Sequence, residues 1–357
     1  MRATSKDKDA PALSAATAAP SARCLILLSP LPGGGARTQD GFDYKVCLLK
    51  RNAQMRTAAS ATVFPGGNLD KADEDASTLL ITASADMRTK RMTALKVCVL
   101  RETFEECGIL LSSPPASFDI NEMAVWRKKV YDKPGLFLKL YERLSESNQI
   151  SFEPPLQSLQ YWSNWITPLA QARRFDTAFF LSILPQSKPL PNQDVDGSTE
   201  LTADGMETIS AAWATPREAL DACMVHRETI LFPPQIYLLA ELAKMPFLSD
   251  VKEHAKRRTV VSYLPLMKAV RINKDQVAYL HPADDEYTDE RKKLGVRHRT
   301  YVGGEKLEGD VHMRAKQPLQ VLGLHRRNVE GLGDIHEGQI HDEADPVAMP
   351  RYKGGHL

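Results

Sequence analysis

Nine residues, Arg101-Glu102-Thr103-Phe104-Glu105-Glu106-Cys107-Gly108-Ile109, constrain this chain more than any other stretch. On an α-helix at about 100° per residue, Glu105 falls roughly 60° to one side of Glu102 and Glu106 roughly 40° to the other. Three carboxylates therefore share one face. Val97, Leu100, Phe104 and Cys107 gather on the opposite side, suited to packing on a sheet. Gly108 stands where a left-handed C-cap belongs, so the helix is predicted over about residues 93–107. Like charges this close repel one another. The face is thus either a solvated acidic surface or a seat for a cation, and hard oxygen ligands at this density suit Mg²⁺ or Mn²⁺. Arg101, beside them, can hold a glutamate through a charge-assisted hydrogen bond.

The rest of the chain reads as strands and helices interleaved over a single core. CLILLS (24–29) and YKVCLLKR (44–51) have strand character, and ATVFPGGNLD (61–70) is a short strand running into a Gly66-Gly67 turn. Residues 71–92 are polar with no firm period and read as an inserted segment. Residues 119–147 form a helix pair: Asp119 followed by Glu122 opens the first and Pro134 starts the second. WSNWITP, FDTAFFLSIL and METISAAWAT are further strands. Thr215-Pro216-Arg217-Glu218 is a helix start, and PPQIYLLAELAKM repeats the proline-first pattern. After residue 258, short strand-like pieces alternate with charged loops. The expected organisation is an Ala/Ser-rich disordered leader (1–22), one elaborated α+β domain (23–322) and a poorly ordered tail (323–357).

Composition removes several classes. The chain has 357 residues, with 46 Lys and Arg against 45 Asp and Glu, so no global field draws it to nucleic acid. The longest uncharged apolar run near the start, residues 24–31, is far too short to span a bilayer. Five widely spaced cysteines without a CxxC point to a reducing compartment rather than a disulfide framework.

The nine-residue stretch, with the FPGG turn before it, resembles the signature of the Nudix hydrolases, G-x5-E, seven residues, then R-E-U-x-E-E-x-G-U, where U is bulky and apolar. The glycine maps to Gly67, and Arg101, Glu102, Glu105, Glu106, Gly108 and Ile109 match the second half without a gap. The first acidic position holds Asp73, with Glu74 beside it. Asp73 lies 28 residues before Arg101 where the plain pattern needs 8, so 20 residues are inserted. The first U is Thr103. A split signature is similar to the Nudix motif 19 branch, described as coenzyme A and acyl-coenzyme A diphosphatases. VFPGGNLDKAD, RRFDTAFFLSILP, DGMETISAAWATPREAL and LFPPQ match that branch as well.

The resemblance implies an α/β/α sandwich with a mixed β-sheet, helical insertions and a C-terminal extension. It implies Mg²⁺ or Mn²⁺ on Glu102, Glu105 and Glu106, with Arg101 orienting them, and a small-molecule nucleotide or coenzyme A substrate split into 3′,5′-ADP and 4′-phosphopantetheine or its acylated form. One glutamate, of this set or Glu207 on the later strand, would take the proton of the attacking water; Glu200 competes with Glu207. Upstream of the FPGG turn, Leu48, Arg51, Met55 and Arg56 partly match a coenzyme A motif of a neighbouring branch. Arg51 and Arg56 suit a polyphosphate or 3′-phosphate, since guanidinium binds phosphate bidentately; two surface arginines are the alternative. Gly66 and Gly67 would shape the turn beside the substrate.

Other features read blandly. Eight of nine histidines follow residue 250 without zinc-ligand spacing. The basic run at 290–299 reads as a solvated loop, Gly33-Gly34-Gly35 as a turn, Cys107 as a buried thiol, and Trp126, Trp162, Trp165 and Trp213 as core. Gly355-His356-Leu357 is a degenerate echo of the S-K-L peroxisomal address. With members of the resembled branch peroxisomal, the expectation is an intracellular, peroxisomal protein, with mitochondria or cytosol as alternatives. Against a coenzyme A diphosphatase stand two other functions: a Nudix diphosphatase of ADP-ribose, dinucleotides or capped RNA, and an inactive Nudix binding module. The sequence leaves oligomeric state open.

Overall fold

A computed structural model describes residues 21–33, 35–54, 60–116, 119–167, 174–185, 201–258, 260, 262–263, 266–273, 276–281, 284, 297–303, 320–327 and 335–338. The central element is β1 (Ser21–Pro30), which starts two residues before the expected onset of order at Arg23. It runs parallel to β5 (Asp176–Ile183), from Ser21 opposite Asp176 to Leu28 opposite Ile183, and antiparallel to β2 (Tyr44–Arg51). With β3 (Thr62–Val63), β4 (Gln160–Ile166), β6 (Thr208–Ala214) and β7 (Ser262–Tyr263) it makes a mixed sheet of seven strands among the described residues.

Side chains alternate across a strand, so an unbroken apolar run such as CLILL implies burial on both faces. Leu25 and Leu27 face a core containing Leu100, Phe104 and Cys107 of α2 (Met87–Cys107) and Leu140 and Tyr141 of α4 (Phe137–Asn148). Ile26 and Leu28 face a second core with Leu220 of α5 (Pro216–Met224), Ile236 to Leu242 of α6 (Pro233–Leu242) and Val251 of α7 (Leu248–Arg257). The result is the expected α/β/α sandwich. Trp162 and Trp165 lie in the second core; Trp126 and Trp213 are only partly buried beside the first.

The inserted segment 71–92 is helical for most of its length. It forms α1 (Lys71–Leu79) and the first turns of α2, which begins at Met87 rather than near 93. Only Asp73 and Ser77 of α1 are buried, so hydrophobic period carries no signal there. The signal is in the caps. Asp70 accepts from Ala72 N–H at 2.7 Å while Asp73 accepts from Asp70 N–H at 2.9 Å, a reciprocal capping box, and Asp86 accepts from Thr89 N–H at 2.7 Å. At the predicted helix pair, Asp119 caps α3 (Ile120–Asp132).

A second, antiparallel sheet corrects the reading of the C-terminal region. β8 (Leu266–Asn273), β9 (Gln276–Leu280), β10 (Arg297–Gly303), β11 (Gln320–Arg327) and β12 (Ile335–Gly338) pair in the order β12-β11-β10-β9-β8. Residues 323–327 and 335–338, expected in a loose tail, are thus strands, with His325 opposite His336. The end of the basic run is not a solvated loop either: Arg299 is buried and bonds Asp284 at 2.9 Å. Short strands separated by charged loops carry little periodicity, and their order comes from pairing. The leader up to residue 20, most of the basic run and Gly355-His356-Leu357 lie outside the described residues. Among the described residues, no helix is long and apolar enough to cross a membrane.

Candidate active site

The centre of the site is a buried guanidinium. Arg101 reaches Asp73 with two parallel bonds (Nε to Oδ1, 2.8 Å; Nη2 to Oδ2, 2.9 Å), Glu105 through Nη1 at 2.9 Å and Glu102 through Nη2 at 3.0 Å. Burial works against its charge, yet Asp73 and the neighbouring glutamates more than offset this, and its pKa lies above the ordinary value. The inserted helix α1 therefore brings Asp73 onto Arg101 despite the 20 inserted residues. Asp73 grips Arg101 and caps its own helix, a structural role that sequence spacing left undefined.

The three glutamates lie on the one face expected. Glu106 is buried and accepts the Gly66 N–H at 2.7 Å. All three carboxyls are pushed above the usual range. For Glu102 the main cause is burial, opposed by Arg101 and reinforced by Glu105, and its pKa rises to about 7. For Glu105 burial again leads, opposed by Arg101. For Glu106 burial leads and the charge of Glu102 adds, against the Gly66 amide and Arg51.

Both turn glycines have a steric reason. Gly66 has φ +153°, and a Cβ there would lie 1.9 Å from the Arg23 carbonyl oxygen. A Cβ on Gly67 would lie 2.4 Å from the Glu102 carboxyl carbon. The turn runs along β1, with Arg23 N–H bonding Gly67 O and Leu25 N–H bonding Pro65 O, both at 2.8 Å. Residues outside the signature complete the rim. Arg51, at the end of β2, pairs with Glu207 at 3.5 Å (Nη2 to Oε2). The Glu207 backbone is held by Asn52, whose N–H bonds its carbonyl at 2.9 Å, and by Asp204, which accepts from the Met206 and Thr208 amides at 2.9 and 2.8 Å. The charge of Glu207 adds to the upward push on Glu105 and Glu106. Arg51 and Glu207 thus pair with each other within electrostatic reach of the glutamate face, whereas Arg56 and Glu200 lie outside the described residues.

The sequence reading missed Asn52, Asp204 and Arg127. The Asp204-Gly205 dipeptide was a legible turn signal; nothing local marks the other two. Among the described residues no group of three or more His, Cys, Asp or Glu side chains converges as a metal cage. Glu102 and Glu105 turn to Arg101, and Glu106 to a backbone amide. The donor set still fits a hard divalent cation: hard oxygen donors on one helical face, mutually repelling and largely buried, beside the Gly66-Gly67 turn.

The description NUDT19 Nudix domain matches residues 82–242. Residues 82–242 of this chain are thus similar to that Nudix domain. An acyl-coenzyme A diphosphatase NUDT19 of Gallus gallus is 29% identical over 326 residues, covering 76% of this chain and 82% of that protein. The Homo sapiens protein of the same name is 27% identical, covering 87% and 85%. A solved Nudix hydrolase from Alicyclobacillus acidocaldarius covers 67% of this chain and 97% of its own, at 24% identity and a TM-score of 0.48. The helix that carries the second half of the signature is α2. Its one unorthodox residue, Thr103, is fully buried where an apolar side chain is usual, and its hydroxyl returns to the Val99 carbonyl at 2.7 Å, so no polar group is left unpaired.

Proposed function

We propose that the protein is a divalent-metal-dependent diphosphatase that cleaves coenzyme A or acyl-coenzyme A to 3′,5′-ADP and 4′-phosphopantetheine or its acylated form. A Nudix enzyme hydrolysing a phosphorus anhydride, with a coenzyme A-type substrate, agrees with the names of the relatives. The observation that carries the reading is the excess of carboxylate around Arg101. Asp73, Glu102 and Glu105 share one guanidinium, and Glu106 has a backbone amide instead of a cation.

Glu102, Glu105 and Glu106 would hold Mg²⁺ or Mn²⁺, which when bound neutralises diphosphate oxygens and lowers the pKa of water. The chain's own groups do the remaining work. Arg101, fixed by Asp73, holds Glu102 and Glu105 in place. Gly66 and Gly67 let the turn pack against β1 and against the Glu102 carboxylate. Arg51 offers a guanidinium to a phosphate oxygen at the rim. Glu207, partly exposed and paired with Arg51, would accept a proton from water.

The test is hydrolysis by the full chain of a diphosphate panel (coenzyme A, acyl-coenzyme A, ADP-ribose, a dinucleotide and a capped RNA), with and without Mg²⁺ or Mn²⁺, and products identified by mass. Preference for coenzyme A or its thioesters with release of 3′,5′-ADP is expected. Broad nucleotide cleavage without that preference, or binding without turnover, refutes the reading.

A further inference from the structure

Arg127 belongs to α3 and to no part of the Nudix signature, yet its guanidinium lies across the C-terminal end of α2. Nε donates to the Glu105 carbonyl at 2.6 Å, Nη1 to the Thr202 hydroxyl at 2.8 Å and Nη2 to the Thr202 carbonyl at 2.7 Å. Thr202 N–H in turn donates to the Cys107 carbonyl at 3.2 Å. The last carbonyls of a helix have no partner within it, and a cation there suits the helix dipole. That accounts for the first bond. It does not account for the other two, which reach into the segment leading to Glu207.

That segment hangs between two anchors. At its far end Glu207 is fixed to the edge of β2 by Arg51 and Asn52. At its near end Thr202 is fixed to α2 through Arg127, so closely that a Cβ on Gly108 would lie 2.7 Å from the Thr202 hydroxyl. Between them Asp204 accepts from the Met206 and Thr208 amides, which makes the connection short and stiff. One guanidinium therefore touches both the backbone of Glu105 and the strap that carries Glu207.

We propose that Arg127 is a positioning residue: by tying the 201–207 strap to the end of α2, it sets Glu207 against Glu105 and Glu106. The inference rests on the reading of Glu207 as part of the hydrolytic site. The planar fork matters, because a single ammonium cannot hold two carbonyls and a hydroxyl in these directions.

The experiment uses the full chain with Mg²⁺ and coenzyme A, and compares R127A, R127K, T202V, E207Q and the R127A/E207Q double variant. A displacement of about 1 Å in a reacting group can reduce a rate ~100-fold. R127A should therefore reduce kcat by about 10- to 100-fold with KM within about twofold. R127K should recover only part of this, and T202V, which keeps the bond to the Glu105 carbonyl, should show a milder defect of the same kind. The double variant should be no slower than E207Q alone. Hydrogen exchange should quicken at the Thr202, Met206 and Thr208 amides in R127A and stay unchanged in the middle of α2. Wild-type kcat in R127A, a loss that multiplies with that of E207Q, or a fall in R127A while E207Q keeps wild-type kcat would each overturn the inference. If the wild-type chain cleaves no coenzyme A, the proposed function fails by itself. Exchange then decides this point, and unchanged Met206 and Thr208 amides refute it.

Discussion

The helices α2 and α6 pack on opposite faces of the same sheet, and both bury charge in different proportions. In α6, Glu241 meets Arg258 at 2.8 Å and the Trp162 indole N–H at 3.2 Å; Arg258 also stacks 4.4 Å from the Trp162 ring centre and bonds the Trp162 carbonyl. Acid and base are matched there, as they are for Asp284 and Arg299 in the second sheet. Around α2, three carboxylates share one guanidinium and a fourth leans on an amide. A matched buried pair fixes the fold. An unmatched cluster costs stability by itself and is rewarded only when a cation arrives. The excess of anion, rather than the presence of buried charge, distinguishes the site from the scaffold.

That contrast can be broken most decisively at Glu106. E106Q should reduce Mg²⁺-dependent hydrolysis by roughly 1,000-fold, the scale of several kcal/mol of lost charge stabilisation, with a thermal melt close to wild type. Retention of activity would remove these carboxylates from the chemistry. E241Q should do the reverse. It leaves Arg258 buried without its carboxylate, which destabilises by about 3 kcal/mol, measured by denaturant titration, while turnover per folded molecule is kept. If both variants behaved alike, the distinction between the two helices would not stand.

The paired glycines sharpen the same comparison. G66A forces a Cβ into the Arg23 backbone and should lower stability, whereas G67A meets only the movable Glu102 carboxylate and should lower activity with the fold retained. Melts and rates of the two variants, measured side by side, test this. The smallest effect is in pH. Glu102, ordinarily near 4.5, sits at about 7 in the folded chain. The folded state thus holds this proton more tightly than the unfolded state, and its contribution is present below the unfolded pKa and lost as pH rises through the folded one. Metal-free wild type should lose thermal stability relative to E102Q between about pH 4.5 and 7, and Mg²⁺ should remove the difference. A parallel pair of melting curves across that range without metal would contradict the shift.

The segment that breaks the Nudix signature shows where sequence reasoning stopped. Its polar run hides α1 because only two residues of that helix are buried, yet Asp70, Asp73 and Asp86 are ordinary capping residues in ordinary positions. The second sheet was legible only in part, as short strand-like pieces after residue 258. Its strands are short and its partners lie up to tens of residues away, so the pairing that orders residues 323–327 and 335–338 has no local mark.

The sequence by itself determined the helix of the signature, its carboxylate face, the bend of two glycines and the first strands, because these are marked by local patterns of the chain. Only the tertiary structure decided that Asp73 returns to Arg101 across the inserted turns, that Arg51 and Asn52 meet Glu207, and that Arg127 joins Glu105 to Thr202. Those contacts link residues 22 to 156 positions apart. No period or spacing encodes them; they exist because the two cores fix which ends of strands and helices come together.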